Sequence, residues 1–273
     1  MKHKTKIAAL LLATLSLSSF AQDAPAPAPA STDAAELAKK LSNPVASLIS
    51  VPFQNNLDVG IGANNGWRNT LNFQPVIPVK LSAKINMITR IIFPIISQQD
   101  IYGEGTQQSG LSDAVASAFF SPAEAKNGLV WGAGPVLLVP IATDDLLGTK
   151  KFGVGPTALI LKQTHGCTFG LLANQLFSVA GDEERADVNQ LYVSAFFTYN
   201  WKSGAGLGIN AETTQNWEAS TTTVYVSPTI SGITKLGKQI VSLSIGPRIQ
   251  AAAPDGAESA FGVRAAITFV FPK

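Results

Sequence analysis

Two glycine-rich segments are the first residues of this chain that could perform chemistry. The pattern aromatic-Gly-x-Gly-Pro occurs at Trp131–Pro135 and again at Phe152–Pro156. A phosphate-binding loop needs a strand before the glycines and a helix after them. Here strand-like sequence, VLLVP and TALIL, follows each motif, so the phosphate-loop interpretation fails. We predict instead that the glycines leave a gap in the inner wall of two neighbouring strands; they are Gly132, Gly134, Gly153 and Gly155.

A histidine and a cysteine provide the one candidate for nucleophilic catalysis. Beyond the first residues His165 is the only histidine, and Cys167 is the only cysteine of the chain. A hydrolase needs a nucleophile activated by a nearby base, and residues at i and i+2 share one face of a strand. A turn histidine beside a lone cysteine is the favoured interpretation. The sequence therefore predicts no enzyme and no cofactor, with a lipid-acting enzyme kept as an alternative.

Two acidic loops contain the only candidate metal ligands. Carboxylates in such loops could collect a hard cation such as calcium through oxygen ligands. The alternative is a solvated acidic loop without a metal, and the sequence alone predicts no metal site. The candidates are Asp144, Asp145, Asp182 and Glu183.

The N-terminus predicts an exported protein. Three lysines precede an apolar run, and a small-x-small cleavage site ends at Ala21, which is the pattern of a secretory signal peptide over residues 1–21. Residues 22–32 form an Ala/Pro linker that should be extended. Residues 33–50 predict a short helix capped by Asp33, which either plugs a barrel from the periplasm or lies loosely below it.

Composition and periodicity then define the fold class. Hydrophobic residues make up 46% of the chain and charged residues only 14%. Apart from the signal, no apolar run approaches the roughly 20 residues of a membrane-spanning helix. The sequence therefore predicts an all-β transmembrane antiparallel β-barrel over 51–273, with about twelve strands and a short N-terminal helix. The strands are expected near 51–62, 67–80, 84–97, 111–120, 129–141, 152–162, 168–180, 189–201, 206–215, 221–234, 239–250 and 260–271.

Strict alternation is the evidence for these strands. In Phe261–Phe271 every odd position is apolar, and the only charge, Arg264, lies on the other face. The connections alternate between short turns and longer, mostly acidic loops, which is the asymmetry between the periplasmic and outer rims of such barrels. Prolines inside strands oppose this prediction because proline cannot donate to the ladder. Local breaks are therefore expected at Pro135 and Pro228.

The predicted inward face carries charged residues. With the apolar face outward, four arginines point into the lumen from neighbouring strands, with Asp58 among them, Glu212 opposite and Asp113 as a further acid. Such an arrangement either attracts anionic solutes or pairs internally, because buried charge must be compensated. The arginines are Arg68, Arg90, Arg248 and Arg264.

Four stretches resemble a known family. They are similar to a group of Gram-negative exported proteins described as outer-membrane transporters, and to the family named for the meta-pathway of phenol degradation. The resemblance covers about 43–273 and implies a twelve-stranded type of barrel and a role in transport. It implies no agreed substrate and no catalytic residues. The stretches are NPVASLISVPFQNN (43–56), GWRNTLNFQPVIP (66–78), ATDDLLGTKKFGVGPTALILKQ (142–163) and SVAGDEERADVN (178–189).

The sequence thus predicts a barrel in the cell outer membrane that passes a small solute, anionic or aromatic, through a narrow lumen. Its expected partners are outer-membrane lipid and that solute. The formal net charge of +2 gives no reason to expect nucleic acid. A sealed structural or surface-interaction barrel is the main alternative.

Overall fold

The computed structural model describes residues 31–271. The predicted signal peptide at 1–21, nearly all of the linker at 22–32, and the last two residues lie outside the described residues. Within 31–271, no helix has the length and the apolar character needed to cross a membrane.

The described chain consists of one helix followed by strands. Helix α1 spans Ser31–Leu41. The strand segments are β1 (Ile49–Ile61), β2 (Gly66–Phe73), β3 (Val76–Lys80), β4 (Ile85–Gln99), β5 (Gln107–Leu111), β6 (Ala114–Pro122), β7 (Leu129–Val139), β8 (Lys151–Thr164), β9 (Cys167–Gly181), β10 (Asn189–Asn200), β11 (Gly206–Asn216), β12 (Thr221–Leu236), β13 (Gln239–Pro247), β14 (Ile249–Ala252) and β15 (Phe261–Phe271).

The sheet closes on itself. Every pairing is antiparallel, and β1 pairs with β2 on one side and with β15 on the other. Three strands of the wall are divided into two segments each, namely β2 with β3, β5 with β6, and β13 with β14. With each divided strand counted once, the fold is a closed barrel of twelve antiparallel strands. The predicted fold class, the strand number and the short N-terminal helix are confirmed.

The two faces of the strands follow the predicted alternation. On β8, Ile160 is 51% exposed while the next residue, Leu161, is 1% exposed. The outward face carries large apolar side chains around the barrel, and outward Tyr199 packs edge to face on Trp201 at a centroid distance of 5.3 Å. Inward side chains are buried or half-buried, and this face holds the candidate site.

Prolines interrupt the ladder where breaks were expected. Pairing of β6 with β7 stops at Val136 and resumes at Ala133, which leaves Gly134 and Pro135 outside the ladder between these two strands. Around Pro228, the partner of β12 changes from β14 at Val226 to β13 at Ile230. A closed barrel thus tolerates proline by giving up a few backbone hydrogen bonds at each site.

The N-terminal segment, residues 31–48, enters one end of the barrel. Helix α1 begins at Ser31, so Asp33 lies inside its first turn, and the predicted cap at Asp33 is wrong. Ala34 and Ala38 lie one turn apart on the same face of α1, and both are buried. A Cβ on Gly204, in the turn before β11, would lie 2.9 Å from the Cβ of Ala34, so α1 lies directly against this rim.

Candidate functional site

The lumen has two walls of different chemistry. The inward face of β10–β15, β1 and β2 carries charged and hydrogen-bonding side chains, and we call it the charged wall. The inward face of β6–β9 carries buried apolar side chains, and we call it the apolar wall. Strand β4 lies between β2 and β6, so the charged wall and the apolar wall meet there.

Arg264 is the centre of the charged wall. Its Nη2 forms an ion pair with Glu212, and its Nε donates to Asn56 Oδ1 at 2.8 Å. The second carboxylate oxygen of Glu212 accepts from the hydroxyl of Tyr192 at 2.9 Å. Arg264 is 6% exposed, so its charge lies in an environment of low polarity where an unpaired ion would be very costly.

Arg248 forms a second ion pair. Its guanidinium binds both carboxylate oxygens of Asp58 and lies 3.2 Å above the ring centroid of Tyr225. Arg248 is the residue at the break between β13 and β14, and its backbone N–H still donates to Gly262 O. The internal pairing that the sequence left open is therefore observed for two of the four arginines.

The other two arginines have only neutral partners. Arg68 Nε donates to Gln98 Oε1 at 2.7 Å, and Gln98 donates in turn to Gln108 at 2.9 Å. Arg90 Nη2 donates to Gln74 Oε1 at 2.6 Å. Neither Arg68 nor Arg90 has a carboxylate partner among residues 31–271. Four guanidinium groups and two carboxylates leave this set with a net charge of +2.

The apolar wall was not predicted from the sequence. Its inward side chains form two layers, and Val136 and Leu161 are almost completely buried. A signal was nevertheless present, because VLLV and ALIL are apolar at odd and even positions alike, which is typical of strands buried on both faces. The wall consists of Phe119, Val136, Leu138, Leu159, Leu161, Leu172 and Leu176.

The predicted gap beside the paired glycines is filled. A Cβ on Gly132 would lie 3.3 Å from the Cβ of Phe119, and one on Gly153 would lie 3.1 Å from the Cβ of Leu138. The glycines do belong to neighbouring strands, and the outward position of Trp131 agrees with the prediction. The space on their inner side is nevertheless taken by neighbouring apolar side chains, so the interpretation of a gap is wrong.

Gly134 and Gly155 allow the backbone of a neighbouring strand to come close. A Cβ on Gly134 would lie 1.9 Å from Ala118 O, and one on Gly155 would lie 1.7 Å from Gln175 O. Each glycine precedes a proline, which provides no N–H for the ladder. The neighbouring carbonyl instead approaches the glycine Cα, a contact that any side chain would prevent.

Polar contacts hold the N-terminal segment at the end of the barrel that it enters. Asn86 donates to Ser47 Oγ at 3.0 Å, Gln163 to Lys39 O at 2.8 Å and Asn200 to Ser42 Oγ at 2.9 Å. Deeper in the lumen, Val45 is 5% exposed and packs with Ile88, Phe119, Leu159, Leu161 and Leu172. The segment therefore contacts the lumen wall on several sides.

Asp113 lies at the break between β5 and β6 and does not join Glu212. Its carboxylate accepts from the backbone N–H and the hydroxyl of Thr149, both at 2.6 Å, and from Ala142 N at 3.3 Å. The loop at 140–150 is thereby tied to the inner wall. Leu147, in the same loop, is 5% exposed.

The acidic loops at the end of the barrel opposite α1 pair with basic residues. Lys150 Nζ lies 2.8 Å from Asp145 and 4.0 Å from Asp182, and its hydrogen bond holds the pKa of Asp145 below the ordinary value. Lys151 lies 3.0 Å from Asp187, and this hydrogen bond lowers the pKa of Asp187. Across the described part of the chain, no three His, Cys, Asp or Glu side chains are grouped as metal ligands would be.

The candidate metal ligands and the nucleophile pair are local features. Asp144 Oδ1 accepts from Leu146 N at 2.8 Å and Asp182 Oδ1 from Glu184 N at 2.9 Å, which are turn contacts. His165 occupies the turn between β8 and β9 with a φ of 45°, and its Nδ1 lies 2.8 Å from Thr164 Oγ1. The lumen arginines therefore remain the candidate site.

The comparison with solved structures supports the barrel architecture. A crystal structure of an outer-membrane channel from Pseudomonas putida F1 matches with a TM-score of 0.64 at 14% identity, over 82% of this chain and 94% of that one. The β domain of a Bordetella autotransporter matches with a TM-score of 0.46 at 11% identity, over 82% and 100% of the two chains. The first match shows a shared barrel fold. No family model matches the sequence, and no curated protein matches it.

Proposed function

We propose that the protein is an outer-membrane channel for a small anionic solute, closed at its periplasmic end by the N-terminal segment. The observation that carries this proposal is the excess positive charge of the lumen, where Arg68 and Arg90 donate to neutral amides and form no ion pair. An excess of one sign of charge in a low-dielectric lumen favours entry of the opposite ion. We also propose that the chain is a distant relative of the transporter family that its sequence resembles.

The outward face fits insertion in a bilayer. Apolar side chains cover it, and the aromatic pair of Tyr199 and Trp201 lies at the rim, where such rings contact lipid headgroups. With the N-terminal segment on the periplasmic side, the loop at 140–150 lies on the outer side. This orientation agrees with the predicted signal peptide at 1–21, which is part of the proposal.

Burial inside the lumen supports a closed state. Gln98 is fully buried, and Asn56, Asp58 and Arg264 are each 6% exposed. Polar groups lining an open water-filled pore would be far more exposed. Conduction therefore requires a movement, and the N-terminal segment is the element whose contacts with the wall are neutral hydrogen bonds and one apolar cluster. Each such hydrogen bond contributes only about 1 kcal/mol.

Planar-bilayer recording tests the proposal. The mature chain should give single-channel steps, and a chain without residues 22–48 should give larger or more frequent steps. In a potassium chloride gradient the reversal potential should show a preference for chloride. Arg68→Gln should reduce that preference, whereas Lys202→Gln, which removes the same charge from an exposed turn, should leave it unchanged.

A sealed structural barrel is the second candidate, and the same burial of the lumen favours it. This candidate predicts no conductance steps from either chain. An absence of steps with and without residues 22–48 would therefore contradict the channel and support the sealed barrel. Conductance steps with a preference for potassium would support a channel but contradict the proposal that its solute is an anion.

A further inference from the structure

Arg90 lies where the charged lumen meets the apolar cluster. On β4 it is the next inward residue after Ile88, so it lies about 7 Å further along the lumen, twice the rise per residue of a strand. Ile88 is 1% exposed and belongs to the apolar cluster that contains Val45. An apolar cluster and a guanidinium group therefore adjoin along one strand.

The guanidinium of Arg90 has hydrogen-bond donors to spare. Its Nη2 donates to Gln74, and within residues 31–271 no acceptor is bound to its other nitrogens. Glu212 is the nearby carboxylate of the charged wall, but its two oxygens are occupied by Arg264 and Tyr192. Arg90 thus keeps free donors in the fork geometry that binds a carboxylate with two hydrogen bonds.

Val45 occupies the apolar half of this arrangement. Val45 belongs to the same buried cluster as Ile88, Phe119 and Leu172, and Tyr192 packs against that cluster. Val45 comes from the N-terminal segment, while every other member of the cluster comes from the barrel wall. If the segment moves, the cluster loses one branched apolar side chain near a guanidinium that forms no ion pair.

We propose that Arg90 and the apolar cluster beside Ile88 form a binding site for a small amphipathic carboxylate, whose apolar half Val45 occupies in the closed state. The carboxylate binds Arg90, its apolar body takes the place of Val45, and the N-terminal segment is thereby displaced. This proposal rests on the proposed channel function, and it specifies the solute of the channel as an anion with an apolar body. Since Val45 and the solute compete for one cavity, binding and opening are linked.

Equilibrium binding of hexanoate tests the site. The mature chain in phospholipid nanodiscs should bind hexanoate saturably by calorimetry, after subtraction of the heat measured with empty nanodiscs. Acetate lacks the apolar body and hexanol lacks the charge, so each should bind at least about tenfold more weakly, because one half of the site is unused. Saturable binding of hexanol equal to that of hexanoate would overturn the role of Arg90.

Two variants separate ligand binding from a structural role. Arg90→Gln should weaken hexanoate binding about tenfold or more, while Arg68→Gln, with the same loss of charge elsewhere in the lumen, should weaken it only about two- to threefold. Val45→Ala should tighten binding, because it weakens the internal competitor but leaves the barrel wall intact. A Val45 that only stabilises the fold would leave the affinity unchanged or lower it, and either result would overturn the competition.

Accessibility of the N-terminal segment gives the second readout. Ala38 of this segment is 5% exposed in the closed state. In a Cys167→Ser background, an Ala38→Cys variant should therefore react faster with a maleimide when hexanoate is added, and this increase should be absent with Arg90→Gln. Hexanoate binding without faster labelling would overturn the displacement. Conductance without hexanoate binding would contradict the proposed site but support the channel. Hexanoate binding without conductance would contradict the channel but support the site.

Discussion

The two walls of the lumen use opposite means to exclude water. The apolar wall is filled by leucine, valine and phenylalanine side chains, and it excludes water by burying hydrocarbon. The charged wall is filled by ion pairs and amide hydrogen bonds, with Arg264 bonded to both Glu212 and Asn56. A barrel of twelve strands is too wide for its inward side chains to meet at the axis without such long residues.

The difference has a consequence for specificity. Apolar packing is non-directional, so the apolar wall contributes stability and offers a solute only an apolar surface. Buried ion pairs gain little net stability, because desolvation offsets much of their attraction. They do fix the positions of charges, and the arginines left without carboxylates, Arg68 and Arg90, thereby keep a defined place in the lumen.

The largest effect is expected from breaking one ion pair of the charged wall. Glu212→Ala leaves the buried guanidinium of Arg264 without its counter-charge and removes the acceptor of Tyr192. The free energy of unfolding should fall by about 3–5 kcal/mol. Urea titration of the refolded barrel in lipid vesicles, followed by tryptophan fluorescence, measures this loss.

A double variant is the control for that loss. Glu212→Leu with Arg264→Met removes both charges and keeps similar volume, so most of the lost stability should return. A double variant as unstable as Glu212→Ala would mean that the charges themselves do not set the stability of this wall.

The apolar wall should respond to loss of volume rather than loss of charge. Leu161→Ala opens a cavity among buried side chains, and the free energy of unfolding should fall by about 3 kcal/mol. Ile160→Ala is the matched control, because the adjacent side chain points outward and leaves no internal cavity. The same urea titration should show a clearly smaller loss for Ile160→Ala, and equal losses would contradict the assignment of inner and outer faces.

The architecture was predictable because strand alternation is a local property. In Phe261–Phe271 the alternation of residue types alone indicates which side chains point outward. The predicted strand bounds fall within a few residues of β15 and of most other strands. The inward direction of Arg248, Arg264, Asp58 and Glu212 follows from the same alternation. No contact between strands is needed to predict these features.

The partners of these side chains were not predictable in the same way. Arg264 and Glu212 are 52 residues apart, and their pairing depends on the width of the lumen. Asp113 binds Thr149 because the loop at 140–150 folds inward, which no local pattern indicates. The gap beside the glycines was wrongly predicted, because neighbouring side chains fill the space at Gly132 and Gly153 and a neighbouring carbonyl approaches Gly134 and Gly155. Only the assembled ladder contains these contacts.

A glycine substitution tests the close approach between β8 and β9. A Cβ on Gly155 would lie 1.7 Å from Gln175 O, so Gly155→Ala must move the backbone. The free energy of unfolding should fall by about 1–3 kcal/mol, the usual cost of overpacking. At Gly232 a Cβ meets no atom within 4 Å, so Gly232→Ala should cost nothing or stabilise slightly. Equal losses in the same assay would contradict a steric role for Gly155.

The smallest effect is expected at the acidic loops opposite α1, where charges are paired in water. The hydrogen bond from Lys151 lowers the pKa of Asp187, so the ionised carboxylate is favoured in the folded state. The resulting stability is present above the pKa of Asp187 in the unfolded chain, and it is lost as the pH falls through the lower pKa of the folded state.

Asp187→Asn should therefore lower the melting temperature slightly near neutral pH, and the difference from the unaltered chain should vanish in acid. Calcium chloride at about 1 mM fills typical extracellular calcium sites. If lysines already pair with these carboxylates, calcium should change the melting temperature of neither chain. A rise of the melting temperature with calcium that Asp187→Asn abolishes would instead make the loop a cation site. The two walls of the lumen would then remain distinct, but the outer rim would have a ligand of its own.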